Sequence, residues 1–166
     1  MRNVVSEVEV LDVEPGEFWF GAWRSFNVIV WYKGASLDAV RRLDRTNPAR
    51  TQAHERISTA YIAMPTAVPP SAEVRDALNA MHNQWGHTVG AGVVVIERAG
   101  VLGLAIRSAV TGMIMLAPKH YRVKVCDTVE VAAPWLAEHH ARSTGVQVDA
   151  EDLLAVLRYA RTAGMG

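Results

Sequence analysis

The first third of the chain follows a two-residue alternation of side chains, which predicts β-strands. Residues 4–13 alternate valines with glutamates, residues 18–23 divide their aromatic side chains between two faces, and residues 26–33 are rich in β-branched and aromatic residues. Pro15 and Gly16 give a turn signal between the first two segments. These features predict an antiparallel meander of three strands.

From Ser36 onward, segments with helical spacing alternate with apolar runs of strand length. Residues 89–96, VGAGVVVI, have no polar side for water, so we expect them and residues 57–62 in the middle of the sheet. The order β-β-β-α-β-α-β-α-β-α-α predicts an α/β fold: a mixed β-sheet with flanking helices and an extra C-terminal helix. The helical segments begin at Ser36, Ser71, Gly100, Asp127 and Asp149, and the later strands cover residues 56–64, 89–96 and 121–126.

Capping residues mark several of the predicted helix ends. Ser36 and Ser71 stand where a serine oxygen can accept a backbone N–H at a helix start. Asp127, three residues before Glu130, resembles a capping box, and Pro48 is expected to end the first helix. Ser71 is therefore predicted to be a structural cap, with phosphorylation as the alternative role.

Composition and charge narrow the classes of function. The chain has 166 residues, of which 50% are hydrophobic and 20% charged, as in one ordinary globular domain. Seventeen basic residues balance 17 acidic ones, so the broad positive field of a nucleic-acid-binding protein is missing and we expect no nucleic-acid partner. The basic tract at residues 41–56 is expected to be a solvated helix face and loop, or else a docking edge for an acidic partner.

Neither apolar segment of the chain suits a secretion signal or a membrane span. Residues 1–10 mix charges with valines and contain no continuous apolar core. Residues 99–117 are the most apolar stretch, but Arg107 interrupts them and small polar residues dilute them. We therefore predict a buried helix at residues 99–117, no membrane span and a cytoplasmic protein.

Candidate catalytic, metal and cofactor residues have unfavourable spacings. His82 and His87 are five apart, off a common helical face, and the adjacent His139 and His140 point in different directions, so we expect helix-end or solvated histidines rather than zinc ligands. Cys126 precedes Asp127, whose carboxylate opposes thiolate formation. Gly90 and Gly92 lie at a strand start, whereas a dinucleotide fingerprint needs glycines after a strand. The sequence predicts no catalytic residues, no metal and no cofactor.

The closing segment of the α/β pattern resembles the STAS-like fold of anti-sigma-factor antagonists. The last strand of that superfamily leads into a short helix with the pattern Asp-Thr/Ser-x-Glu-x-Ala…Trp-Leu. The similarity covers residues 4–140, so it implies a STAS-like domain at residues 1–142 and a C-terminal helical extension at residues 143–166. The matching positions are Asp127, Thr128, Glu130, Ala132, Trp135 and Leu136.

The resemblance implies a non-catalytic module that binds another protein in bacterial signalling or assembly. Phosphorylatable members carry Asp-Ser-Ser-Gly at the start of the helix after the second core strand. Here residues 68–73 lack the acidic residue and the glycine, and Ser71 is the one counterpart. This departure puts regulation by a partner kinase in doubt and leaves protein binding as the implied activity.

The helix predicted at residues 100–116 is apolar on more faces than a sheet can cover. Leu104 and Met115 fall outside the face that would pack on the sheet, and a monomer would normally carry charge there. We therefore expect a homo-oligomer or a tight complex with a protein partner through this helix, with Leu104, Arg107, Met115 and Ser71 as candidate partner or regulatory residues. The alternative is that the last helix covers it.

A second function is kept open. STAS-like folds are similar to the SEC14-type lipid-binding fold, and residues 99–117 are apolar enough to line a pocket. In that case the protein is a small-molecule or lipid-binding domain. An open cleft between residues 65–72 and 99–108 would distinguish it from a pure interaction module.

Overall fold

The computed structural model describes residues 3–116 and 121–166. Its centre is one six-stranded mixed sheet in the order β1-β2-β3-β4-β5-β6. The first three strands are antiparallel and the last three join the sheet in parallel, as the alternation of strands and helices predicts. The strands are Glu9–Glu14 (β1), Phe18–Trp23 (β2), Phe26–Trp31 (β3), Ile57–Ala63 (β4), Val89–Ile96 (β5) and Arg122–Cys126 (β6).

Helices cover both faces of the sheet, which confirms the predicted α/β class with a helix at the C-terminus. On one face α5 and α6 share a hydrophobic core with the sheet. On the opposite face α1, α3 and α4 pack over two smaller clusters. The helices are Leu37–Asp44 (α1), Asn47–Ala53 (α2), Ala72–Trp85 (α3), Gly100–Leu116 (α4), Val129–Thr144 (α5) and Ala150–Ala163 (α6).

Side-chain alternation in β2 links the two cores. Trp19 and Trp23 point into the core beneath α5 and α6, whereas Phe18 and Phe20 point toward α1 and α3. All four side chains are buried, so β2 has no polar face. This arrangement follows the predicted division of aromatic side chains. The two tryptophans of β2 are therefore core residues and do not form an exposed interface.

Helix α6 belongs to the same core as α5. Leu153 and Leu157 are fully buried there, and the expected domain boundary after residue 142 falls inside α5. The helix lies on the face of the sheet opposite α4. The alternative that the last helix covers α4 is therefore wrong.

Several local predictions need correction. Residues Val4–Glu7 form a 3₁₀ turn, and the first strand begins only at Glu9. Pro48 lies in the first turn of α2, where its missing N–H is not needed, so the tract continues as a second helix. Thr128, and not Asp127, caps α5: its side-chain oxygen accepts the Val131 N–H at 3.3 Å.

An irregularity in β5 turns two nearby glycines to opposite faces of the sheet. The pairing of β4 with β5 shifts between Ile57 and Thr59, which leaves one extra residue on β5. Added Cβ atoms would place Gly90 against Ser143 on the α5 side and Gly92 against Tyr121. Beyond the shift, Val93 and Val95 are fully buried, as expected for a strand covered on both faces.

Candidate functional site

A cavity of about 130 Å³ lies between the sheet and the helices α3 and α4. Its floor comes from β4, β5 and β6, and its walls come from the two helices. Val68 and Pro70, in the loop before α3, border it on one side. The floor includes Thr59, Tyr61, Ala63, Gly92, Val94 and Val123; Leu78 and His82 of α3 and Ile106, Val110, Met113 and Ile114 of α4 form the walls.

A glycine in the floor and a helix that packs only partly on the sheet leave this space open. Gly92 contributes no side chain to the floor, although a Cβ there would make ordinary contacts of 3.6 Å with Tyr121 and Val123. Helix α4 is buried at Ile106 and Ala109, but Val110, further along, is only partly buried. The space in question between residues 65–72 and 99–108 is open where Val68 and Pro70 approach Ile106, and most of the cavity lies further along α4, beside Val110 and Met113.

A tyrosine–histidine pair forms the polar end of the cavity. The Tyr61 hydroxyl of β4 and Nε2 of His82 in α3 are 2.9 Å apart, and the two rings meet edge to face at 5.7 Å between centroids. His82 reaches this position because it follows the buried residues Leu78 and Met81 on the same side of α3. His82 lies in the last turn of α3, as the helix-end prediction has it, but it is partly buried beside Tyr61 and not solvated.

Both members of this pair are uncharged at neutral pH, and burial moves their pKa values further from 7. Desolvation lowers the pKa of His82 to about 4 and raises the pKa of Tyr61 well above its ordinary value. The cavity therefore offers hydrogen-bonding groups without a charge. A neutral molecule fits such a site better than an ion does. Burial of an ion without a partner costs several kcal/mol, which is comparable to the free energy of unfolding of a whole domain.

Helix α4 is fixed mainly at its first half. Gly103 lies directly against the Arg98 carbonyl, where a side chain would not fit, and the Arg98 guanidinium donates to the Pro65 carbonyl at 2.9 Å. Arg107 forms an ion pair with Asp127, the residue that follows β6. Arg107 thus attaches α4 to the sheet and does not point to a partner.

The four candidate residues from the sequence lie apart from one another. Ser71 caps α3, with its oxygen accepting the Val74 N–H at 3.2 Å, in agreement with the predicted structural role. Leu104 and Met115 are 65% and 78% exposed on the outer side of α4, away from the cavity. Arg107 pairs with Asp127 instead. These residues do not form one site.

The basic tract is only partly the solvated face that was expected. Arg50 is buried, and its guanidinium donates to Asn27 Oδ1 at 2.8 Å and to the carbonyls of Arg24 and Phe26. Arg42 donates to Asp12 of β1 at 2.7 Å through Nε. Both arginines therefore tie helices to the sheet.

A buried polar network surrounds His140 of α5, so the prediction of a solvated histidine is wrong for this residue. Its Nε2 lies 3.0 Å from the Ser25 hydroxyl and its Nδ1 lies 2.7 Å from the Ser58 hydroxyl. Ser58 also accepts the Ala91 N–H at 3.1 Å. The contacts join residues 115 and 82 positions apart in the chain, so no local sequence signal could reveal them.

The hydrogen bonds of this network assign its proton positions. Ser58 is fully buried and its oxygen accepts from Ala91, so its own hydrogen satisfies its bonding needs by pointing to His140 Nδ1. His140 therefore carries its proton on Nε2 and donates to Ser25. Ser58 donates to a histidine as a serine nucleophile would, but its side chain is fully buried, where no substrate can contact it. The network is therefore structural.

Other chemistry is limited within residues 3–116 and 121–166. Cys126 is buried, and burial raises the pKa of its thiol, as expected for a packed cysteine. No three His, Cys, Asp or Glu side chains of the described segments converge as metal ligands. None of the helices in these segments combines the length and apolar character needed to cross a membrane.

Comparison of the chain with models of protein families, with curated proteins and with solved structures finds no match. The resemblance to STAS-like domains therefore stays a prediction.

Proposed function

We propose that this protein binds a small, neutral and mainly apolar molecule in the cavity between the sheet, α3 and α4. The observation that carries the proposal is the combination of an apolar wall with one uncharged hydrogen-bonding pair, Tyr61 and His82. Binding pockets for small molecules commonly pair apolar walls with a few placed polar groups. This was the alternative function considered from the sequence.

The volume sets the size of the molecule. A cavity of roughly 150 Å³ accommodates a benzene ring in a protein core, so the space of about 130 Å³ here suits one ring or a short branched chain. Burial of six carbon atoms at about 0.8 kcal/mol each gives about 5 kcal/mol, which corresponds to a Kd on the order of 0.1–1 mM. A hydroxyl that reaches the Tyr61–His82 pair would bind more tightly than the bare hydrocarbon.

Titration with p-cresol and toluene, followed by NMR, tests this proposal. Both probes are expected to bind, p-cresol more tightly, and Tyr61→Phe is expected to reduce p-cresol affinity while leaving toluene affinity nearly unchanged. Val110→Phe fills the cavity and is expected to weaken both probes at least about tenfold. Val101→Phe is the matched control, because Val101 is 81% exposed on the same helix. Absence of binding at 5 mM, or equal binding to the Val110 and Val101 variants, would contradict the proposal.

A second candidate function is self-association through the outer face of α4. Residues 101, 104, 108, 111 and 115 are all exposed and all uncharged, and they repeat every three or four positions along one side of the helix. Val101, Leu104 and Met115 are 81%, 65% and 78% exposed. An apolar stripe of this kind on a protein surface marks an interface more often than a free face.

A second copy of the chain is the occupant that suits this stripe. Large side chains lie near both ends of the stripe, and the small Ser108 lies at its middle. A twofold axis through Ser108 would therefore place Leu104 of one copy opposite Gly112 of the other. There is room for Leu104 there, because nothing lies within 4 Å of a Cβ added at Gly112. A 17-residue helix is about 25 Å long. Such a contact falls below the roughly 800 Å² per partner of a stable interface, so we expect a weak dimer.

Sedimentation over a range of concentrations tests the association. The wild-type protein is expected to dimerise reversibly at high micromolar concentration, and Leu104→Glu with Met115→Glu is expected to abolish the dimer. Val131→Glu is the control, since Val131 is 47% exposed on α5 at the other face of the sheet. A strictly monomeric wild-type protein would refute self-association. The implied role in cytoplasmic bacterial signalling or assembly also stays a prediction.

A further inference from the structure

A second, positively charged cleft lies at the opposite side of the sheet from the apolar cavity. It measures about 190 Å³ and is bordered by Gly90 at the start of β5, by Arg122 at the start of β6 and by Arg56 just before β4. His139, Arg142 and Ser143, in the last turns of α5, form the other wall. Tyr121 borders both spaces, but the other side chains of the cleft are not shared with the apolar cavity.

The backbone geometry of β5 makes room for this cleft. Its irregular pairing turns Gly90 toward α5, where an added Cβ would lie 2.7 Å from Ser143 Oγ and 3.1 Å from Ser58 Oγ. Arg122 is paired with Ala91 across β5 and β6, so its side chain extends on this same face of the sheet. Gly90 therefore brings the end of α5 close to the strand starts, and Arg122 extends beside it.

The charges around the cleft are unbalanced. Among the described residues, three guanidinium groups and no carboxylate border it. Glu138 pairs with Arg142, but Arg56 and Arg122 have no ion-pair partner among residues 3–116 and 121–166. The C-terminal end of α5 adds about half a negative charge, which offsets only part of the excess. In a chain with a formal net charge of zero, this local excess stands out.

We infer that this cleft binds a compact oxyanion, either the phosphate group or the carboxylate of a small molecule. Guanidinium groups present planar pairs of N–H donors that match two oxygens of such an anion, and charge-assisted bonds of this kind are among the stronger hydrogen bonds in proteins. The donors come from three separate elements, so the anion would join the starts of β4 and β6 to the end of α5. The inference is independent of the apolar ligand, because the two sites differ in charge and in nearly all their residues.

The test is an NMR titration of the full chain with inorganic phosphate at constant ionic strength, with sodium chloride replaced as phosphate is added. Saturable shifts are expected at the amides of Gly90, Arg122 and Ser143. The Arg56→Gln, Arg122→Gln double variant is expected to raise the apparent Kd at least about tenfold. Arg75→Gln is the control, since Arg75 is exposed on α3, away from the cleft. Unchanged melting temperatures would exclude a folding defect, and if the double variant unfolds, Arg122→Gln alone is used.

Parallel arms with methyl phosphate and acetate distinguish the two sources of the anion. Tighter binding of methyl phosphate assigns the site to phosphate monoesters, and tighter binding of acetate assigns it to carboxylates. Shifts that chloride reproduces at the same ionic strength, shifts that do not saturate by 20 mM phosphate, or equal affinities of the wild-type and the arginine variants would overturn the inference.

Discussion

Two alanine substitutions on β5 are expected to change stability in opposite directions. Neither Gly90 nor Gly92 has a positive φ, so both backbones accept alanine. At Gly92 the new Cβ would lie 3.6 Å from Tyr121 and Val123, which is an ordinary contact. The lower entropy of the unfolded chain contributes about 0.4–1 kcal/mol and the buried methyl group about 0.8 kcal/mol, so Gly92→Ala should stabilise the protein by about 1–2 kcal/mol.

At Gly90 the same change meets oxygen atoms that hold a hydrogen-bond network. The new Cβ would lie 2.7 Å from Ser143 Oγ, which would have to rotate and lose its hydrogen bond of 3.1 Å to the His140 carbonyl. It would also lie 3.1 Å from Ser58 Oγ, which is fixed between His140 and Ala91. Overpacking and the lost bond should make Gly90→Ala destabilising by about 1–2 kcal/mol.

Urea unfolding of the two variants measures this difference directly. The free energies of unfolding should differ by at least about 2 kcal/mol, with the wild-type value between them. A stabilised Gly90 variant, or a Gly92 variant that loses more than about 1 kcal/mol, would refute the opposite orientation of the two glycines and with it the open floor of the cavity.

The other predictions concern pH, the buried network and a helix cap. Because the pKa of His82 is about 4 in the folded protein and about 6.5 in the unfolded chain, the unfolded chain binds protons at a higher pH than the folded protein does. The free energy of unfolding should therefore be highest above about pH 7 and decrease toward pH 4, with up to about 3 kcal/mol from His82, less what cavity water screens. Burial also lowers the pKa of His140 and His54, so His82→Gln should reduce this slope in urea titrations at several pH values without abolishing it. Ser58→Ala should cost about 2–3 kcal/mol because the Ala91 N–H and His140 Nδ1 lose their partner, and a loss below about 0.5 kcal/mol would contradict these buried hydrogen bonds. Ser71→Ala should cost about 1 kcal/mol while Ser71→Asp keeps the cap, and equal thermal stabilities of the two variants would argue against a capping role.

The fold could be predicted well because its signals are local. The division of Phe18 and Phe20 from Trp19 and Trp23 follows directly from strand alternation, and the caps Ser36 and Ser71 were visible as serines before apolar helical patterns. The run of valines in β5 likewise required cover on both faces. The predictions that needed correction lie at element ends, where Pro48 and Asp127 fit two local structures equally well.

The candidate site could be predicted only in part because its groups meet through the fold. The sequence offers a pocket lined by the apolar α4 as an alternative to an interface. The position of His82 beside Tyr61, in contrast, depends on how α3 crosses β4, and the two residues are 21 positions apart. The charged cleft collects single arginines from three segments, each unremarkable in its own context. The spacing of residues within a short segment does not reveal such long-range contacts.

The proposed ligand site places a small molecule in the cavity with its polar group at Tyr61 and His82. A crystal structure of the protein with 4-bromophenol, in which anomalous scattering locates the bromine, would show the occupant itself. We expect a bromine peak between Gly92 and Val110, with the ligand hydroxyl within hydrogen-bond distance of the Tyr61–His82 pair. A cavity filled by repacked side chains, or bromine bound only outside it, would refute the site.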